Sequence, residues 1–275
     1  MERSKRVYKT ERQPRRWLSG AMLFLSALVL LSGLATSGGG DVAIEVAPTA
    51  TPIPMDAAFD ETAESREIEL PARSWYALQL GAFEQAEAAE ELAARFRERG
   101  AAGYVWHDER YRALAALYAG KDDAQNVRKQ LVERHTIETW LFQIDLPAVR
   151  LRVNGMRGQL DILEAAFGHM NDLVAELQAL GVEMDRQEKN AEEAKSMMTE
   201  LRTRMETASL RLKQRFASPR HDTVEGLVAC LDDYVAFAGA LPAGESAVEL
   251  AARVKRQTLQ SLYMLKCVYD GLFNT

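Results

Sequence analysis

The sequence predicts an α+β protein in which a small module with the order β-α-β-β-α-β is followed by a helical region and preceded by one membrane-spanning helix. Between residues 74 and 146, short strand-like runs alternate with segments of helical periodicity. From residue 156 onward, apolar residues recur at alternating intervals of four and three, which is typical of packed helices. Residues 17–34 contain neither a charge nor a proline.

The N-terminal sequence predicts a cytoplasmic basic head over residues 1–16 and a transmembrane helix over residues 17–34. The head carries seven Lys/Arg against two Glu, and no further Lys/Arg occurs until Arg66. An 18-residue helix is about 27 Å long, close to the hydrocarbon thickness of a bilayer. The positive flank predicts a cytoplasmic N-terminus, with the rest of the chain outside the cell membrane. The alternative is a cleaved secretory signal ending near 33–35, although the apolar run exceeds the usual length of such signals.

Residues 35–73 predict a disordered acidic linker. They are rich in Gly, Thr, Ala and Pro, carry eight acidic residues against two Arg, and have no sustained apolar period. The basic head contributes +5 to the formal net charge of −6, so the other 259 residues carry −11. This acidity argues against a nucleic-acid partner.

Residues 74–146 predict a module with two strand-helix-strand halves. The expected strands are 75–80, 104–107, 111–118 and 139–144, and the expected helices are 84–99 and 122–133. This order is the split βαβ, or ferredoxin-like, arrangement. Its helices cover one face of the sheet, so the other face is the natural place to bind a ligand.

The period of two along a strand assigns side chains to these faces. The predicted open face holds Trp75, Ala77 and Gln79 from the first strand and Arg112, Leu114 and Ala116 from the third. The predicted helix-covered face holds Tyr76, Leu78 and Leu80 from the first strand and Ala113, Ala115 and Leu117 from the third. The second set is apolar enough to form a core under the two helices.

Two stretches of this module resemble a known family. The string Trp75-Tyr-Ala-Leu-Gln-Leu-Gly-Ala-Phe83 resembles the opening of a SPOR (sporulation-related repeat) domain, whose first strand carries Val/Leu-Gln-x-Gly-x-Phe. The string Tyr111-Arg-Ala-Leu-Ala-Ala-Leu-Tyr118 is similar to the family's Tyr-Arg-Val-x-Val-Gly-Pro-Phe, with Ala-Leu replacing Gly-Pro. The resemblance covers residues 74–146. It implies binding of peptidoglycan, in particular of glycan strands that lack stem peptides, at the open sheet face.

On that face, the candidate ligand-binding residues combine polar donors with apolar surface. Gln79 and Arg112 offer amide and guanidinium donors to sugar hydroxyls and acetamido carbonyls. Trp75 can pack against sugar rings and Leu114 shares the face; Trp106, whose face the period does not assign, is a further aromatic candidate. RNA-binding modules also present aromatics on such sheets, but residues 74–146 hold nine basic and twelve acidic side chains and no RNP-type motif, which excludes that class.

No catalytic signature accompanies these residues. The four His are scattered without metal-ligand spacing, and HExxH, CxxC, GxSxG and phosphate-binding glycine loops do not occur in the sequence. The sequence therefore predicts a binding protein that is not an enzyme and that needs no metal or cofactor.

Residues 150–275 predict a helical domain, either an α-helical bundle or a coiled-coil region. One heptad seam runs Met156, Leu160, Leu163, Phe167, Met170, Val174 and Leu177, and a second runs Ala191, Ala194, Met198, Leu201, Met205, Ala208 and Leu212. Two shorter amphipathic helices follow, separated by Pro219 and Pro242. The Ala- and Met-containing second seam leaves a protein partner or self-association open beside an intramolecular bundle. Cys230 and Cys267 lie on apolar helical stretches, which favours burial over a disulfide.

Together, these features predict a single-pass envelope protein that binds peptidoglycan and thereby localises to sites of cell-wall remodelling, such as division or sporulation septa. The alternative is a membrane-anchored scaffold that acts through its C-terminal helices, with the SPOR-like module structural only.

Overall fold

The structure, a computed structural model, describes residues 62–216, 220–242 and 244–272. The elements, in chain order, are β1 Ala63–Leu70, β2 Arg73–Phe83, α1 Ala86–Arg97, β3 Tyr104–His107, β4 Tyr111–Tyr118, α2 Lys121–His135, β5 Trp140–Leu146, β6 Val149–Met156, α3 Arg157–Asp185, α4 Ala191–Arg215, α5 Asp222–Gly239 and α6 Ala247–Gly271. The predicted basic head, transmembrane helix 17–34 and residues 35–61 of the predicted linker lie outside the described residues. No helix within the described part of the chain is long and apolar enough to cross a membrane.

The predicted β-α-β-β-α-β module is present. Its four antiparallel strands lie in the order β3-β4-β2-β5, with α1 and α2 on one face. The small side chains of Ala89 and Ala93 let α1 lie close to the sheet, where both are fully buried. Gly103 completes this approach: its φ is +52°, and a Cβ there would lie 2.4 Å from the Ala93 carbonyl oxygen. Only glycine fits that turn without strain.

The predicted linker and helical domain each contain an unexpected strand. Residues 63–70 form β1, which pairs antiparallel with β6, so the linker prediction was wrong for this segment. The helical domain likewise begins with a strand, since α3 starts only at Arg157, and Met156 is exposed rather than part of the seam. The reason is pairing: the two-stranded β1–β6 ribbon buries Ile68, Leu70 and Val149 toward α3. Its outer face carries Glu67, Glu69, Arg150 and Arg152.

The ribbon continues the β2–β5 ladder and is fixed to the helical domain. Leu70 pairs with Val149 and Arg73 with Leu146, in the same register on both sides of a two-residue gap in each strand. On the ribbon's inner face, the Arg66 guanidinium contacts the Asp161 carboxylate of α3 at 2.5 Å. The ribbon is therefore held against α3. The two-residue gaps separate the ribbon from the module.

Helices α3 to α6 form a four-helix bundle within the chain. Short loops join neighbours, and α6 packs back against α3 to close the bundle. Both predicted seams face this shared core, apart from Met156 and the partly buried Ala191. Asn190 and Ser246 cap α4 and α6, each in a reciprocal capping box with a glutamate three residues later. The bundle, not an isolated coiled coil, is thus the form that the seams take.

Both cysteines are free, and their environments differ. Cys230 is buried in α5, and burial raises the pKa of its thiol to about 12. Cys267 of α6 is exposed, although partial burial and then Asp270 raise the pKa of its thiol as well. We expect a thiol reagent at pH 8 to modify one cysteine per folded chain and both after denaturation, because only a thiolate in contact with solvent reacts. Thiol counting in the absence of reductant checks this. Finding no free thiol would indicate a bridge between α5 and α6 instead.

Candidate functional site

All five predicted site residues share the sheet face opposite α1 and α2. Cross-strand pairing establishes this: Trp106 of β3 lies opposite Arg112 of β4, and Leu114 lies opposite Gln79 of β2. The face of Trp106, which the sequence left unassigned, is fixed by that pairing. The face divides into two parts. The exposed half consists of Gln79, Arg112, Trp140 and Phe142, and the covered half consists of Trp75, Tyr104, Trp106 and Leu114.

A guanidinium held in place by its neighbours forms the centre of the exposed half. Arg112 Nη1 donates to Gln79 Oε1 at 3.0 Å, and Arg112 Nε donates to the Asp108 carboxylate at 2.9 Å. The guanidinium carbon lies 4.6 Å from the centre of the Phe142 ring, within cation–π range. Gln79 and Arg112, placed together by the sequence argument, are therefore in direct contact and half-exposed.

The Asp108 carboxylate keeps Arg112 oriented. Burial alone would raise the pKa of Asp108, but hydrogen bonds from the backbone N–H of Arg110 and from the Arg112 guanidinium outweigh burial and lower that pKa below its ordinary value. The carboxylate is thus ionised at any physiological pH. The Asp108 carboxylate accepts only from Nε, and Gln79 accepts from Nη1. The Nη2 group of Arg112 therefore makes no hydrogen bond to the described residues and remains available to a ligand.

Trp140 is a candidate site residue that sequence reasoning missed. It lies directly across the ladder from Gln79, on the same face, and is 49% exposed. The signal was present, since Trp140, Phe142 and Ile144 alternate along a predicted strand. Assigning their face required the pairing of β5 with β2, which local periodicity does not supply. An exposed indole beside a guanidinium and an amide is a surface suited to a sugar ring.

The covered half contradicts the prediction of an open face. Trp75, Trp106 and Leu114 are 5%, 2% and 0% exposed, respectively. The bundle's α6 lies over β3 and β4 there, and Tyr263 meets Trp106 edge-on at 4.9 Å between ring centroids. Three of the five predicted site residues therefore pack against the bundle. The prediction failed because it treated the module alone, without the helix that packs on it.

A bulge also reverses two face assignments. The register shifts between Leu78 and Gln79, so that Leu78 pairs with Ala116 and Gln79 with Leu114. Ala116 then joins the core beneath α1 and α2, and Leu117 joins the core shared with the bundle, opposite to the prediction for both. An extra residue in one strand flips every later side chain to the other face.

The module is a ferredoxin-like sheet with helices on one face and a partly exposed opposite face. Among the described residues, no group of three or more His, Cys, Asp or Glu side chains could hold a metal ion.

The model of the SPOR domain family matches residues 72–143, so the chain contains a SPOR domain, and SPOR domains bind peptidoglycan. No curated protein and no solved structure matches the chain.

Proposed function

We propose that this chain binds peptidoglycan glycan strands that lack stem peptides, and that this binding localises it to sites of cell-wall remodelling such as division or sporulation septa. One observation carries the proposal: within the SPOR domain, the contacting pair Gln79 and Arg112 lies on the exposed half of the sheet face beside Trp140. A binding domain without catalytic machinery fits a protein that is not an enzyme.

The exposed half offers both kinds of contact that a sugar chain needs. Arg112 Nη2 and the Gln79 amide nitrogen are donors for ring hydroxyls and acetamido carbonyls. The exposed Trp140 indole offers an apolar plane to the flat face of a sugar ring. Gln79 and Trp140 are cross-strand neighbours, so one sugar unit can engage the amide and the indole together.

The N-terminal part of the chain supplies the proposed membrane attachment. Residues 17–34 would span the cell membrane once, with the basic residues 1–16 in the cytoplasm and the SPOR domain outside, where peptidoglycan lies. The charge difference across the apolar run supports this topology.

Co-sedimentation of the full chain with peptidoglycan sacculi tests the proposal. Sacculi treated with an amidase, which removes stem peptides, should retain more protein than untreated sacculi. Equal retention on both would refute selectivity for bare glycan, and no retention on either would refute peptidoglycan binding.

We expect Arg112→Ala and Gln79→Ala each to weaken glycan binding about tenfold or more, because each removes hydrogen bonds to a polar ligand. Arg134→Ala and Gln130→Ala are matched controls, since both residues are exposed on α2, on the other side of the sheet. These controls should bind like the wild type. Equal losses in all four variants would contradict the assignment of the site to this face.

A scaffold function is the second candidate, and burial of Trp75, Trp106 and Leu114 against the bundle favours it. In that case the SPOR domain serves structure, and a protein partner or self-association engages residues 150–275. A fluorescent fusion of the full chain discriminates the two. Septal localisation that is lost in Arg112→Ala supports glycan binding, whereas localisation that Arg112→Ala leaves intact supports the scaffold.

A further inference from the structure

The interface between the SPOR domain and the bundle covers aromatic residues of the ligand-binding face. Tyr263 of α6 lies against Trp106 at 4.9 Å and against Tyr104 at 6.4 Å, measured between ring centroids. An aromatic ring packed on Trp106 occupies the place that a sugar ring would take on this half of the face. Within the chain, α6 thus competes with any ligand for the covered half.

Two short chain segments connect the SPOR domain to the β1–β6 ribbon and the bundle. The SPOR domain joins the rest of the described chain through two crossings, Pro71-Ala72 and Pro147-Ala148, which lie side by side. All four residues are exposed. Neither proline has an N–H, so the ladder that pairs residues on both sides is interrupted here. The β1–β6 ribbon is held to α3 through Arg66, which places the hinge between the ribbon and the sheet.

Some polar groups buried between the SPOR domain and the bundle lack favourable partners. A polar cavity of about 710 Å³ lies between α1 and the bundle, and Arg97 and Arg256 both line it. Burial first, and then the charge of Arg97, lower the pKa of Arg256, and Glu90, which pairs with Arg97, offsets only part of this effect. On the covered half, the indole N–H of Trp75 is buried with no hydrogen-bond partner among the described residues. Both features disfavour the closed arrangement.

A second, more apolar cleft lies elsewhere along the interface. It measures about 310 Å³ and lies between Leu78, Val127 and Leu131 of the SPOR domain and Met184 and Val248 of the bundle. Clefts of similar volume also lie between helices of the bundle, so the desolvated Arg256 and the unpartnered N–H of Trp75 are the features that disfavour closure.

We propose that the helical bundle is a lid on the SPOR domain: it swings about Pro71 and Pro147, and its α6 leaves the covered half when a glycan strand binds. The proposal rests on the proposed function, because it concerns the regulation of that same face. In the closed form, only the exposed half contacts glycan. In the open form, Trp106 and the N–H of Trp75 become available as well, so the strand gains contacts along the whole face.

Two substitutions on α6 should change glycan affinity in opposite directions. Tyr263→Ala removes the ring that packs on Trp106 and should raise the affinity of the full chain for amidase-treated sacculi about fivefold or more, since affinity scales with the open fraction. Arg256→Gln removes the charge that burial and Arg97 disfavour in the closed form, so it should favour that form and lower the affinity. Tyr263→Phe keeps the ring and should bind like the wild type. Tyr263→Leu, which keeps apolar volume, replaces the alanine variant if circular dichroism shows that variant unfolded.

The outcomes separate this proposal from the proposed function. If the wild type binds glycan and either Tyr263→Ala (or its leucine replacement) or Arg256→Gln has wild-type affinity, the lid is refuted while glycan binding stands. If neither the wild type nor the Tyr263 variant binds any glycan, the proposed function itself fails. Circular dichroism and sedimentation without sacculi identify unfolded or aggregated protein, so opposite changes in two folded, soluble variants support the lid.

Discussion

Trp106→Ala is expected to lower the free energy of unfolding by about 3–5 kcal/mol, the usual cost of deleting a buried aromatic side chain. Trp106 is 2% exposed and packs edge-on against Tyr263 of the bundle and Phe142 of the sheet. Its removal opens a void at the point where the SPOR domain meets α6. Urea denaturation followed by circular dichroism measures the change.

Trp140→Ala is the matched control for that experiment. Trp140 lies on the same sheet face but is 49% exposed, so its removal should cost about 1 kcal/mol or less in stability while weakening glycan binding. The two tryptophans thus separate packing from ligand contact. If Trp106→Ala were as stable as Trp140→Ala, the covered half would be open to solvent, contrary to the structure.

Leu212→Ala is expected to destabilise the bundle by about 2–5 kcal/mol, because Leu212 belongs to the second heptad seam and is 0% exposed. Leu210, two residues earlier on α4, is 53% exposed and points away from that seam. Leu210→Ala should therefore change stability by no more than about 0.5 kcal/mol.

The same pair of variants tests whether the seam is satisfied within one chain. In an intramolecular bundle, the unfolding midpoint of the wild type and of Leu212→Ala is independent of protein concentration. A midpoint that rises with concentration would show that the second seam packs against another molecule, and equal losses in the two variants would contradict the burial of Leu212 and the exposure of Leu210.

Local periodicity predicted the elements of the SPOR domain and the helices of the bundle. Strand runs such as 104–107 and seams such as that ending at Leu212 bury residues at regular intervals, which a sequence displays directly. The contact between Gln79 and Arg112 followed from the same rule, because two strands whose faces are assigned bring same-face side chains together.

Local periodicity could not predict the pairing of strands that lie far apart in the sequence. β1 is rich in glutamate and resembles the linker before it, and it becomes a strand only because β6, about 80 residues later, supplies its partner. The bulge beside Gln79, which exchanges the faces of Ala116 and Leu117, likewise depends on two strands at once and leaves no local trace.

The sequence reasoning did not predict that α6 covers part of the sheet face, and this omission had the largest effect on the predicted site. Its seam residues Leu262, Leu265 and Tyr269 predicted one buried stripe, facing the bundle. Tyr263 lies off that stripe, and an additional aromatic residue there indicates a second contact surface. Which surface it contacts is a property of the assembled chain. Three predicted ligand residues consequently lie in an interface.

The central claim is that glycan strands without stem peptides bind the exposed half of the SPOR sheet face. Calorimetric titration of the full chain with purified strands, set beside the Arg112→Ala variant and the Arg134→Ala control, tests it most directly. The account predicts binding by the wild type and the control, with affinity at least about tenfold lower in Arg112→Ala. Equal affinity in all three proteins, or tighter binding of strands that keep their stem peptides, would contradict it.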